Sequence, residues 1–412
     1  MKRAKWLITA TLLMALVFPL GPASAQGDQA EPEKIEESKN YDFAGFPLAN
    51  YTTDRGLGFG AFVSFFYFSD TPKEKEPYRA SVALQYYQTT DDYAFHKLLL
   101  DFPNLFDTRM RLDVVSGYEA WQDANYFGIG NDVPRLRQED TPRRYYNYDV
   151  VNFWLVPTLR IPVAKKWDIF VKANVRFAEV KHYENSLLTE IRPVGFSGGF
   201  YPQLSLGLLT DRRNKEPSTS QGYVFEASLR TAQRFLLSDF ESYGANITFR
   251  QWFEIGDSDD YVFAYRLAAD TNQGETPFFH QSKLGGSQWV ELGGNLVLRG
   301  LPFGRYHGLT TLYSNVEMRA RLVRFRLWKR NFEVLGVTYL DAARVLHRDA
   351  PDNRPFNIHF TAGVGPRLVY NDVFVVRLDV GVGLDEFLVA PGSSETNYAP
   401  VLGINFMAGH PF

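Results

Sequence analysis

The sequence predicts an all-β chain, a 16-stranded antiparallel transmembrane β-barrel preceded by a cleaved leader. Three observations carry that prediction. The chain holds 34 Phe, 23 Tyr and 7 Trp, yet its mean hydropathy is −0.25, a balance that suits strands whose lipid-facing and lumen-facing residues alternate. From about residue 42 onward the hydrophobic pattern has a period of two, the period of a strand. Beyond the N-terminus no uncharged apolar run approaches the ~20 residues of a spanning helix.

The N-terminus reads as an export signal. Lys2, Arg3 and Lys5 precede an uncharged apolar run from Trp6 to Leu20, and Ala23-Ser24-Ala25 offers small residues at the cleavage positions. The alternative, a retained anchor, needs ~20 apolar residues, and Pro19 and Pro22 interrupt this shorter run. Residues 1–25 are therefore expected as signal peptide, 26–41 as a flexible acidic linker and 42–412 as the barrel. The linker falls short of the ~50 residues of a folded domain. Cysteine is absent, which removes disulfides and thiolate metal sites, and a net charge of −3 argues against a nucleic-acid partner.

Turn signals divide the remainder into strands near 43–52, 56–68, 78–90, 92–102, 108–121, 145–160, 167–183 and 196–211. The second half follows near 220–232, 241–254, 260–271, 310–323, 331–345, 356–370, 373–388 and 398–411. Alternation is clearest from Asp372 to Asp385. Phe374, Val376, Leu378, Val380, Val382 and Leu384 share a face expected to meet lipid. Arg377, Asp379, Gly381, Gly383 and Asp385 share the lumen face. Ala80, Val82, Leu84 and Tyr86 divide in the same way from Arg79, Ser81, Gln85 and Tyr87. The longest connections, about 122–144 and 272–309, follow odd-numbered strands and belong on the outer side of the outer membrane. A soluble sandwich would expose these aromatic stripes to water. Phe412 ends the alternating run Ile404, Phe406, Ala408, His410, and is expected as a C-terminal assembly signal.

Residues 285–308 read GGSQWVELGGNLVLRGLPFGRYHG, the next strand carries SNVEMRARL with Glu317 and Arg319, and the strand after it carries Tyr339-Leu340-Asp341. In that order these resemble the sixth extracellular loop and the two following strands of the BamA/TamA-like outer-membrane insertase superfamily, the bacterial surface antigen family. Arg299-Gly300-Leu301 stands where that family has an Arg-Gly-aromatic turn, so Leu301 is a departure. The Phe-x-Asp-x-Gly strand motif keeps Asp341 and an aromatic and loses the glycine. The resemblance implies a loop folded into the lumen, with Arg299 paired to Asp341 and Glu317 as a second acceptor. By the period-two count Glu317, Arg319, Arg321 and Asp341 all face the lumen, where a guanidinium can take a bidentate bond from a carboxylate. Ordinary solvated lumen charges are the alternative.

The family's transporters usually carry periplasmic polypeptide-binding (POTRA) domains. This sequence shows none, which resembles the stand-alone barrel branch and puts autonomous client capture in doubt. The resemblance implies a barrel that assists insertion or translocation of proteins or lipids, with a seam between its first and last strands that opens laterally. Its partners would be outer-membrane lipid, a client polypeptide and a separate periplasmic capture protein. The alternative function is a passive or selective small-solute pore, whose Arg79, Arg230, Arg250, Arg266, Arg319, Arg321 and Arg377 would favour anions. A weaker alternative is an adhesive surface protein. No enzyme, cofactor or metal site is expected. The seven histidines lack ligand spacing, and Gly195-Phe196-Ser197-Gly198-Gly199 fits G-x-S-x-G only in letters, without the strand-to-helix turn that motif needs.

Overall fold

Strands that carry charge on one face and hydrocarbon on the other satisfy their backbone groups edge to edge, so the sequence pattern calls for one large sheet. The computed structural model describes residues 40–52, 56–69, 77–137, 140–288, 290–327, 330–347 and 357–412. The expected signal peptide (1–25) and most of the expected linker (26–39) lie outside those residues. Tyr41, expected to close the linker, opens the first strand.

The strands are β1 (Tyr41–Thr52), β2 (Gly56–Tyr67), β3 (Ala80–Thr89), β4 (Tyr93–Leu105), β5 (Met110–Asn125), β6 (Asn147–Ala164) and β7 (Trp167–His182). Next come β8 (Gly198–Phe200), β9 (Gln203–Asp211), β10 (Gly222–Ala232), β11 (Ser242–Glu254), β12 (Tyr261–Gly274), β13 (Lys283–Leu284) and β14 (Val290–Glu291). The last are β15 (Thr310–Leu327), β16 (Arg330–Leu346), β17 (His359–Tyr370), β18 (Phe374–Leu388) and β19 (Thr396–Ala408). Consecutive strands from β1 to β7 pair antiparallel. β7 then meets both β8 and β9, and pairing continues through β10, β11 and β12. β12 passes over β13 and β14 to pair with β15, and β15 to β19 follow in order.

The strand expected over 196–211 is two segments. Pro202 has no N–H to donate, so the ladder breaks there, although Tyr201 N still donates to Arg176 O at 2.7 Å. Two short helices were not anticipated, α1 (Leu187–Ile191) and α2 (Phe278–Gln281). The Ser186 hydroxyl caps α1 by accepting from Thr189 N. Nor was the small β13–β14 pair.

The register places one polar row across many strands. Arg250 faces Arg266, Arg266 faces Asn315 and Asn315 faces Asp341. These polar residues are buried, whereas the opposite face exposes Leu206 at 60%, Leu229 at 69% and Leu402 at 61%.

The two ends of the sheet overlap. β1 pairs with β2 and β19 with β18, and the described residues form no ladder between β1 and β19. Instead Asp42, Ala44 and Phe46 of β1, with Phe62 and Phe66 of β2, lie on Tyr370, Phe374, Val376 and Phe406. Phe46 stands 5.9 Å from Phe374 and 5.1 Å from Phe406, ring to ring. Asp42 accepts from Arg330 Nη1 at 2.7 Å and from the Tyr370 hydroxyl at 3.1 Å. The residues from β1 and β2 belong to the polar face by register, and those from β17 to β19 to the apolar face. The inner side of the first strands thus covers the outer side of the last ones. This corrects the expectation that Phe374 and Val376 face lipid: they keep the expected face, but the chain's own β1 and β2 cover it. Alternation fixes a face and says nothing of what lies against it.

Candidate functional site

The polar faces of β15, β16, β17 and β18 bring Glu317, Asp341, Arg367, Arg377 and Asp379 within reach of one another, and residues 283–308 cross in front of them. Arg299 enters this group from the crossing segment. Its Nε donates to Asp341 Oδ2 at 2.9 Å, its Nη2 to Asp341 Oδ1 at 2.8 Å and its backbone N–H to Asp341 Oδ2 at 3.0 Å. Nη1 donates to Glu317 Oε1 at 2.6 Å, and the guanidinium carbon sits 3.7 Å from the centre of the Tyr339 ring. Arg299, Glu317 and Asp341 are fully buried. Burial makes these bonds matter, because a charge taken from water is tolerated only when its hydrogen-bonding groups are matched.

The group is wider than the two carboxylates singled out by the motif. Arg319 donates to Glu317 Oε2 at 2.9 Å. Asp379 pairs with Arg367 and Arg377, each at 2.7 Å, and lies 3.5 Å from Arg299 Nη1. Asn315 Nδ2 donates to Asp341 Oδ1 at 2.7 Å. Four arginines thus share three carboxylates. Asp379 and Arg377 were legible as polar-face residues of one strand, but strand alternation carries no sign that they meet Arg299.

A glycine trough seats the turn. A Cβ on Gly381 would stand 2.1 Å from Arg299 O, and one on Gly403 would stand 2.8 Å from Gly300 Cα. Gly300 itself has φ +138°, a conformation that L side chains rarely adopt. Leu301, the departure from the aromatic, is buried in the cluster formed by Leu292, Val297, Tyr313 and Val345.

Further anchors fix the ends of the segment. Asp385 accepts from Arg305 Nε at 2.6 Å and from Arg135 Nε at 2.8 Å. Arg135 lies in the connection between β5 and β6 and bonds the C-terminal part of β18: Arg135 N donates to Glu386 O and Leu388 N to Arg135 O. Tyr306 stacks on His359 at 4.0 Å. At the other end Lys172 Nζ donates to Gly286 O at 2.5 Å, Gly285 N to Asp270 at 2.7 Å, Ser287 to Glu226, and Arg250 to Gln288. Asn405 of β19 donates to Gly294 O at 2.9 Å. One segment therefore bonds the same face of β7, β10, β11, β12, β15, β16, β18 and β19, which requires the sheet to curve around it.

Phe412 departs from its expected place. The strand ends at Ala408, and Gly409, with φ +79°, turns the chain away from it. Phe412 is buried beside Trp252, with its ring 5.3 Å from the Arg266 guanidinium and 5.7 Å from that of Arg319. The expected continuation of alternation to residue 412 fails because Gly409 and Pro411 do not extend a strand. Ser197 of the G-x-S-x-G letters lies in a turn leading into β8, a strand segment and not a helix.

A family profile described as the Omp85 superfamily domain matches residues 75–412. No curated protein matches the chain. Among solved structures, BamA from Haemophilus ducreyi lacking POTRA domains 1-3 aligns with a TM-score of 0.54 at 13% identity, covering 90% of this chain and 70% of that one. CdiB from Escherichia coli aligns with a TM-score of 0.53 at 12% identity, covering 92% of this chain and 63% of that one. This chain thus spans less than two thirds of CdiB. At such identities the likeness is one of fold.

Proposed function

The chain belongs to the Omp85 superfamily, and on that premise we propose that it is an outer-membrane barrel assisting polypeptides or lipids into or across the outer membrane, without catalytic chemistry of its own. In this reading the sheet is a 16-stranded transmembrane barrel, with β8 and β9 as one strand broken at Pro202 and with β13 and β14 belonging to a loop folded into the lumen. The exposed rows of Leu, Phe and Tyr on its outer face support a lipid surround, since water-facing proteins avoid patches of that extent.

The observation that carries the function is the buried attachment of residues 283–308 through Arg299. A solute pore needs a column of water and free lumen charges. The arginines that would make it anion-selective are engaged instead: Arg230 with Asp270, Arg250 with Gln288, Arg266 with Leu296 O, Arg319 with Glu317 and Arg377 with Asn295 O. An interior crossed by an attached segment favours passage at the seam, where the β1 and β19 edges can pair with an incoming strand. A separate periplasmic protein would deliver the client.

Vesicles of phosphatidylethanolamine and phosphatidylglycerol carrying the protein test this reading. A urea-unfolded outer-membrane barrel added to them should reach its folded, heat-modifiable form several-fold faster than with empty vesicles, and Arg299→Ala should remove most of that gain. No acceleration, together with a steady open conductance of the wild type, would return the protein to the pore class.

A further inference from the structure

The inner face of the sheet is polar over much of its area and carries several apolar patches, one of them at the turn end. Near the turns that join β9 to β10 and β11 to β12, the inward positions are Phe170, Leu209, Val224, Trp252, Val262 and Ala264, which form one buried cluster with Phe412. A polar lumen gives no reason for six apolar residues on five strands to converge. An aromatic ring seated among them does.

The seat has a polar rim as well as an apolar floor. Pro411 O accepts from Arg266 Nη1 at 3.2 Å, and Phe412 O accepts from Arg319 Nη2 at 3.5 Å. Both guanidiniums also face the Phe412 ring, an arrangement favourable to an aromatic and lost with an aliphatic side chain of similar size. The remaining hydrogen bonds of Arg266 go to Asn315 Oδ1 and Leu296 O, which are neutral acceptors. This buried cation therefore faces carbonyl groups on every bonded side. A small cavity of about 20 Å³, lined among others by Lys215, Ser220, Asp259 and Arg321, shares Val262 and Arg319 with the pocket and marks its turn-end side.

We propose that this pocket is a binding site for an aromatic side chain of a polypeptide entering from the turn end, and that residues 410–412 are its internal occupant. The inference rests on the transport reading above and names a recognition element for its client. Gly409 N donates to Val375 O at 2.8 Å, so Gly409 stays with the sheet, and residues 410–412 lie beyond the strand pairing and can leave without breaking it. While tethered it competes at a high effective concentration, and an incoming aromatic gains the pocket only by displacing it.

Fluorescein-labelled decapeptides ending in Gly-His-Pro-Phe and Gly-His-Pro-Leu, with the full chain in detergent micelles, provide the test by anisotropy. The Phe peptide should bind Phe412→Ser about tenfold tighter than wild type, because the tethered competitor is gone. The Leu peptide should bind that variant clearly more weakly, and adding Arg266→Gln should weaken the Phe peptide towards the Leu value. Equal binding of the Phe peptide to wild type and variant, or equal binding of the two peptides, overturns the proposal. If Phe412→Ser does not give a heat-modifiable barrel, Phe412→Leu replaces it; affinity between the wild-type value and the expected tenfold gain supports the pocket, and wild-type affinity sinks it. Accelerated client folding in vesicles without peptide discrimination removes the pocket and leaves the transport reading. Peptide discrimination without acceleration removes the transport reading and leaves the pocket.

Discussion

The wall made by β4 and β5 and the wall made by β15 to β18 follow the same alternating sequence rule and are buried differently. β4 is half-buried along nearly its whole length, and so is β5. On β15 the inward Asn315, Glu317 and Arg319 are buried while Leu312 and Met318 on the other side are exposed. The inner segment accounts for the contrast, because the attachments of Arg299 all go to β15, β16 and β18. Alternation therefore identifies which residues face inward, and the crossing segment decides which of them become buried. A charge substitution should cost a great deal on one wall and little on the other.

The largest effect is expected at the pair with the most complete burial. Asp341→Ala leaves Arg299 without its bidentate partner, and Arg299→Ala leaves three carboxylates with three arginines and removes the charged link to the loop. Breaking a buried pair typically costs ~3–5 kcal/mol, so each variant should lose about that much in urea unfolding followed by tryptophan fluorescence, and external protease should reach the chain near Arg305. The double variant should be no worse than the poorer single. Singles with wild-type stability and protection would make the pair a solvated bystander and erase the contrast between the walls.

Gly381→Ala probes the same wall without touching charge. Its new Cβ would stand 2.1 Å from Arg299 O, a backbone atom that cannot swing aside, so overpacking of ~1–3 kcal/mol is expected with partial exposure of the loop. A neutral result would mean that the turn is not seated in the trough. Asp385→Asn should cost less than breaking the Arg299–Asp341 pair, ~1.5–3 kcal/mol, since it weakens charged hydrogen bonds to Arg305 and Arg135 but keeps an acceptor in place. Its signature should be proteolysis confined to residues 126–146 and 303–308. Cleavage spreading to residues 285–299 would show that the anchors act as one unit.

How much of this was legible in the sequence follows the same division. The strand ranges and the inward parity of Arg266, Glu317, Arg319, Asp341 and Asp379 came from a period of two, which is local information. Arg299 against Asp341 came from an ordered motif, because a loop residue has no periodicity of its own. What was missed needs the third dimension. Asp379 and Arg367 join the network through the height at which each strand crosses the barrel, which adjacent residues do not encode. The overlap of β1 and β2 on Phe374 and Val376 depends on how far the sheet rolls. Phe412 looked like the end of a strand because the letters alternate, and the break lies in Gly409 and Pro411, whose backbone preferences outweigh the pattern.

The smallest effect is expected at Lys97, and it is the cleanest test of the contrast. Lys97 lies on β4 with its ammonium 4.8 Å from the centre of the Phe95 ring. Its register partner on β5 is Gly117, and among the described residues it has no carboxylate within ion-pair distance. Lys97→Met keeps the length and the apolar stem of the side chain and removes a charge that Glu119 and Glu291 offset only from beyond contact. Only a partly exposed cation–π contact is lost, worth ~0.5–1 kcal/mol, and relief from desolvating the ammonium offsets it. The expected outcome is stability within ~0.5 kcal/mol of wild type. Arg299→Met makes the comparable change on the opposite wall and should match the large loss of Arg299→Ala, since the carboxylates it leaves behind are buried. If Lys97→Met instead destabilises as strongly as Arg299→Met, the β4–β5 wall is held by contacts equal to those of the lock. The barrel interior would then be uniformly tied, and opening at the seam would have to break both walls at once.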